Sequence, residues 1–163
     1  MTDEHVKIGF NLDPDDWHRT SVETLWARRI AAGAAGGVFE LDNTPFHARG
    51  VSYRDAVRAK MIEGLLIFTG VVEHRGHSTY RIAFEAQTDA VLAQWKKLLD
   101  LGCTREWGQC QGLFLYAVDV PPTADIDAID VILGEGEDQD LWNVERGHLG
   151  HPKYCQQQTS HPG

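Results

Sequence analysis

The side chains best suited to chemistry fall in two short stretches, Asp42-Asn43 and His77-Ser78-Thr79 with Arg81. If Thr79 opens a strand, its period of two sets His77, Thr79 and Arg81 on one side. Imidazole, hydroxyl and guanidinium in a row suit an anion. Arginine clasps a carboxylate or phosphate bidentately, threonine adds a hydrogen bond and histidine switches its proton near neutral pH. A plainer reading has Asp42 and Asn43 forming a turn, Gly76 a tight bend, and Arg81 facing solvent or an acid. The candidate ligand site is therefore Asp42, Asn43, His77, Ser78, Thr79 and Arg81.

Metal chemistry has weaker spacing behind it. His148, His151 and Cys155 read His-x2-His-x3-Cys, with Glu145 or another cysteine available as a fourth ligand, and His74 and His77 form a second His-x2-His pair. Neither completes a four-ligand zinc signature, so no cofactor is expected, and zinc is the one these spacings allow. Ser52 and Ser78 lack the Gly-x-Ser-x-Gly elbow of an acyl-transfer nucleophile. The glycines between Gly33 and Gly37 lack the Lys-Ser/Thr of a phosphate loop and precede a strand instead of a helix.

These residues must be positioned by elements of two periods. Alternation predicts strands over 5–12, 22–30, 38–41, 55–61 and 65–73, with the small, glycine-rich 31–37 as a mobile hairpin tip able to act as a lid. A strand at 79–86 then leads into a helix capped by Thr88, carrying Val91, Leu92, Trp95, Leu98 and Leu99 and stopped by Gly102. Strands at 104–110 and 113–120 follow. Thr123 is the expected cap of a second helix with Ile126, Ile129, Ile132 and Leu133, and 141–145 returns as a strand. The fold class is α+β: a small barrel-like or bent antiparallel sheet over 5–76, then a ferredoxin-like βαββαβ sandwich over 77–147. Residues 152–163 form a polar tail. Trp26 and Trp95 are expected in the core, whereas Trp17, Trp107 and Trp142 near turns or edges can line a pocket.

Five ordered phrases carry a family resemblance: Val22-Glu23-Thr24-Leu25-Trp26-Ala27, Leu41-Asp42-Asn43-Thr44-Pro45-Phe46, Ala48-Arg49-Gly50-Val51-Ser52-Tyr53, Gly76-His77-Ser78-Thr79 and Gly147-His148-Leu149-Gly150-His151. Over roughly His5 to His151 the chain resembles the bacterial domain of unknown function 4265. The resemblance implies no activity. It departs at the longer 31–37 loop and at Arg54-Asp55, where a Gly-Asp pair is usual.

Composition bounds the partners. The 163 residues hold 15 Lys and Arg against 24 Asp and Glu, a formal charge of −9. Nucleic-acid binding, dominated by cationic contacts to phosphate, is therefore not favoured. The acids concentrate late: residues 1–105 hold 13 basic and 14 acidic side chains, and residues 106–163 hold 2 and 10. No apolar run is long enough to cross a membrane, the N-terminus lacks a signal peptide, and three cysteines leave one unpaired, so a cytoplasmic location is expected. The expected function is a small binding or regulatory protein of the immunity type, meeting a protein partner through its acidic surface. The alternative is a small enzyme or ligand-binding protein that takes an anionic metabolite, as in secondary metabolism, at the Asp42/His77/Thr79/Arg81 site.

Overall fold

The structure, a computed structural model, describes residues 5–33 and 35–154. The element order is β1 (His5–Asn11), β2 (Val22–Gly33), β3 (Gly36–Leu41), β4 (Ala56–Ile62), β5 (Leu65–Glu73), β6 (Ser78–Phe84), α1 (Asp89–Asp100), β7 (Thr104–Cys110), β8 (Leu113–Val120), α2 (Ile126–Asp138) and β9 (Asn143–His148). The fold is mixed α+β and mostly strand. Among the described residues no helix is long and apolar enough to cross a membrane.

Strands β1 to β5 close into a barrel. Sequence neighbours pair antiparallel, and the ring is completed by a short parallel pairing of β1 with β5, Ile8 opposite Leu66 and Gly9 opposite Ile67. Closure at these two pairs joins the two edge strands of the sheet. Ile8, Phe10, Leu25, Ala27, Phe39, Leu41, Val57 and Ala59 fill the interior. Alternation along β2 sends Glu23, Leu25 and Ala27 inward, so Trp26, expected in the core, faces outward at 45% exposure beneath Lys7. The expected hairpin tip at 31–37 is largely ladder: Ala31 opposes Val38, Gly33 opposes Gly36, and Met61 N donates to Ala35 O at 2.6 Å. The hairpin is kept, with its strands running to Gly33 and Gly36.

The second sheet has the order β7-β8-β6-β9, all neighbours antiparallel. One face carries Tyr80, Ile82, Phe84, Tyr116, Val118 and Val120 against Val91, Trp95 and Leu98 of α1 and Ile126, Ile129 and Leu133 of α2. Burying each such side chain contributes about 1.5–3 kcal/mol, so this face, more than helix propensity, holds the helices. Thr88 caps α1 as expected, accepting from Val91 N. α2 is capped by Asp125 and not Thr123. The last strand runs beyond the expected 145 to His148. Trp142, expected near an edge, is buried and donates Nε1–H to Leu133 O at 3.0 Å.

The start of the expected tail is docked. Residues 152–154 form a helical turn on α2, where Tyr154 and Tyr80 both donate their hydroxyls to Asp130 and Lys153 pairs with Asp127. Cys155 and the rest of the tail lie outside the described residues. Cys103 behaves as a small buried hydrophobe, its thiol pushed up to about 12 by burial.

Candidate functional site

The other face of the second sheet is polar. Cross-strand register places Thr79 beside Asp119, and Arg81 between Ala117 and Glu145, all turned toward the barrel. Between this face and the barrel lies the connection from β3 to β4, residues 42–55. A buried loop must satisfy its backbone groups without water. Carboxylates do much of that here. Glu23, inward-facing on β2 and 9% exposed, accepts from the N–H groups of Phe46, His47 and Ala48 at 2.6, 3.0 and 2.8 Å. Glu106 on β7 accepts from Thr44 N and Asn43 Nδ2 at 2.6 and 3.0 Å. Asp55, fully buried, accepts from Ser52 N and Arg75 N at 2.9 and 3.0 Å.

Arg81 anchors the loop from the sheet. Only 1% exposed, it donates Nε–H to Phe46 O at 2.7 Å and Nη2–H to Ala48 O at 2.6 Å. Among the described residues no carboxylate lies within ion-pair distance of it, and Nη1 has no hydrogen-bond partner. Burial accordingly holds the guanidinium below its ordinary value, with Glu145 and Glu23 pulling the other way. Gly147 makes room for it: a Cβ there would sit 1.4 Å from Arg81 Nη1. Gly150 similarly admits His77 O, 2.4 Å from where its Cβ would be.

A cleft of about 270 Å³ opens beside Arg81, lined by Trp17, Ala83, Leu113, Leu115, Asn143, Val144 and Glu145. Trp17 closes one side, donating Nε1–H to Glu145 Oε2 at 3.0 Å, and Arg49 lies 3.4 Å from Glu145 Oε1. The cleft thus has an apolar wall, a buried cation at one point and a carboxylate already engaged at another.

The residues singled out from sequence spread along this seam. Thr79 and Arg81 share the covered face. Asp42 pairs with His5 at 2.9 Å, and Asn43 Oδ1 accepts from Trp26 N at 2.7 Å. Both border a second cleft of about 430 Å³ that also holds Tyr53, Arg105, Glu106 and Asp119. His77 meets that cleft through Asp119, 2.9 Å from its Nδ1. Ser78 is a clamp, its Oγ accepting from Gly150 N and His151 N at 3.0 Å each. None of these contacts joins Asp42 or Asn43 to Arg81.

The histidine pairs part in the same way. His151 Nε2 lies 2.9 Å from Ala124 O, and Cys155 is outside the described residues. His148 and His74 instead come together, their rings 4.3 Å apart, with His74 Nδ1 2.9 Å from Asp55 Oδ2 and His148 Nδ1 3.2 Å from Ser52 Oγ. Ser52 is fully buried, so its contact with a histidine creates no accessible nucleophile. Burial holds His148 below the ordinary imidazole value despite Asp55. Trp17 lines a cleft as expected, and Glu145, offered as a metal ligand, lines the same cleft instead; the spacing missed Glu23 and Asp55. For Glu23 a signal exists: it shares the parity of Leu25 and Ala27 and therefore had to be a buried acid.

A closed five-stranded barrel clasped through a buried loop to a helix-backed four-stranded sheet defines an α+β class with a polar seam. The chain belongs to the DUF4265 family, described as a domain of unknown function, whose model matches residues 23–144. Among solved structures, a hypothetical protein from Neisseria gonorrhoeae is similar with a TM-score of 0.63 and 15% identity, over 92% of this chain and 97% of that one. At that identity the likeness is one of fold. No curated protein matches the chain.

Proposed function

We propose that the protein is a small binding protein that takes a carboxylate-bearing molecule in the Trp17–Arg81 cleft. The observation that carries this reading is Arg81, a residue of the open cleft's lining whose buried guanidinium has no ion pair among the described residues and one nitrogen, packed over Gly147, without a hydrogen-bond partner. A buried charge left without a counter-charge is costly, and an incoming carboxylate supplies one with strong charge-assisted hydrogen bonds. Trp17, Leu113 and Leu115 would receive an apolar body, and the cleft volume suits a molecule of amino-acid size. The strand order β7-β8-β6-β9, with a helix after β6 and after β8, also supports reading the second half as ferredoxin-like.

The test is calorimetric titration with small aliphatic and aromatic carboxylates, each paired with its neutral amide. At least one carboxylate binds, its amide binds at least about tenfold more weakly, and Ala83→Leu, which fills the cleft while leaving Arg81 and its carbonyl partners in place, abolishes binding. Equal binding of acid and amide, or binding indifferent to Ala83→Leu, overturns the reading.

A further inference from the structure

We propose that Asp55, His74 and His148 form a binding site for one divalent first-row transition metal, for which Zn²⁺ is the natural probe. The site shares no residue with the Trp17–Arg81 cleft, and the proposal does not rest on it. It takes one histidine from each sequence pair and adds a carboxylate from the barrel. Asp55 immediately precedes β4, His74 follows β5 and His148 ends β9, so one ion would fasten the paired start of β4 and end of β5, at one end of the barrel, to the sheet.

The geometry carries this. One ligand atom from each of the three residues lies within 4.8 Å of the others. His74 Nδ1 and Asp55 Oδ2 are already 2.9 Å apart, the separation of two donors about 2.05 Å from one ion at a right angle. A metal there takes the place of the proton between them. His74 is exposed over 44% of its side chain, so its ring can turn to bring the set together and leaves the remaining coordination positions facing water. Two imidazoles and a carboxylate suit zinc and its first-row neighbours more than magnesium or calcium.

Surrounding hydrogen bonds prepare the ligands. With Thr79 Oγ1 donating to Val51 O at 3.4 Å, the Ser52 hydroxyl, 2.7 Å from Thr79 Oγ1 and 3.2 Å from His148 Nδ1, can donate to the first and accept from the second, the tautomer that a metal on Nε2 requires. That tautomer leaves the lone pair of His148 Nε2 bare for a metal. Asp55 is held by the backbone N–H groups of Ser52 and Arg75, so its carboxylate is oriented before any ion arrives.

The test uses the full chain, purified without a histidine tag, stripped with chelator and dialysed against Zn²⁺, with bound metal counted by elemental analysis and Co²⁺ absorbance reporting the ligand set. One ion per chain is expected at Zn²⁺ below about 0.1 mM. His74→Ala, a half-exposed position whose loss leaves the fold intact by circular dichroism, weakens binding at least about tenfold, as does His148→Ala. His151→Ala and Cys155→Ser leave binding unchanged. Wild-type protein that retains no zinc overturns the proposal, and so does binding that survives His74→Ala or disappears in Cys155→Ser.

Discussion

Gly147→Ala probes the seam most sharply. The new Cβ would fall 1.4 Å from Arg81 Nη1 and 2.7 Å from its Cζ, so the guanidinium must move. A long side chain ordinarily yields at little cost, but this one is buried and fixed to two carbonyls at 2.7 and 2.6 Å. Moving it breaks both charge-assisted hydrogen bonds, worth about 1.5–3 kcal/mol each. Taking the lower figure for each, the substitution costs about 3 kcal/mol, and a chain of this length loses about 2–4 °C of Tm per kcal/mol, so Tm falls by about 6–12 °C. Differential scanning calorimetry reads the shift. A double-mutant cycle then isolates its cause: in an Arg81→Met background the same Gly147→Ala change should cost markedly less. A Tm within about 2 °C of wild type, or a cost unchanged without Arg81, refutes the argument.

Other expectations follow from neighbouring observations. In α2, Gly134 has open space where a Cβ would go, so Gly134→Ala stabilises by about 0.5–1 kcal/mol in chemical denaturation. Gly136→Ala, two residues on, destabilises, because its Cβ would meet the buried Trp142 ring at 2.2 Å. Glu23→Ala strands the buried N–H of Ala48 and the part-buried ones of Phe46 and His47, and costs at least about 1–3 kcal/mol by the same assay, the penalty of one unsatisfied buried group. Burial raises the Glu106 carboxyl above its ordinary value of 4.5, with Glu23 and Asp42 adding to the rise and Thr44 N–H and Asn43 opposing it. The folded state then binds more protons than the unfolded one, so this group's contribution is full below 4.5 and is lost as pH rises through the folded value. Unfolding free energies of Glu106→Gln measured across pH should therefore decline less over that window than those of wild type.

The elements were legible because their signals are local. Alternation through Tyr80, Ile82 and Phe84 and the Thr88 cap sit within a few residues of what they specify. Trp26 shows where local reasoning fails: bulk suggested burial, but the pleat, fixed by Leu25 and Ala27, turned it out. The candidate site was legible as a set of polar residues and not as an arrangement. Glu23 and Asp55 face inward at positions where alternation leads one to expect apolar groups, while Arg81 keeps the polar face that alternation gives it but is buried under a loop; each is matched to partners far along the chain. His74 meets His148 across the seam, and no spacing records that contact. Arg54, where the family resemblance implies glycine, takes a left-handed backbone with φ 74° and pairs with Glu40 at 2.9 Å, so the turn is kept and the departure absorbed locally.

The central claim is that a carboxylate enters the cleft beside Arg81, and the Trp17 indole N–H, which donates to Glu145 at its rim, is the most direct reporter. Its resonance, assigned in a ¹⁵N-labelled sample by loss in Trp17→Phe, should shift saturably with the carboxylate that binds and stay fixed with the matching amide. A Trp17 signal that stays still while the carboxylate binds would contradict the account.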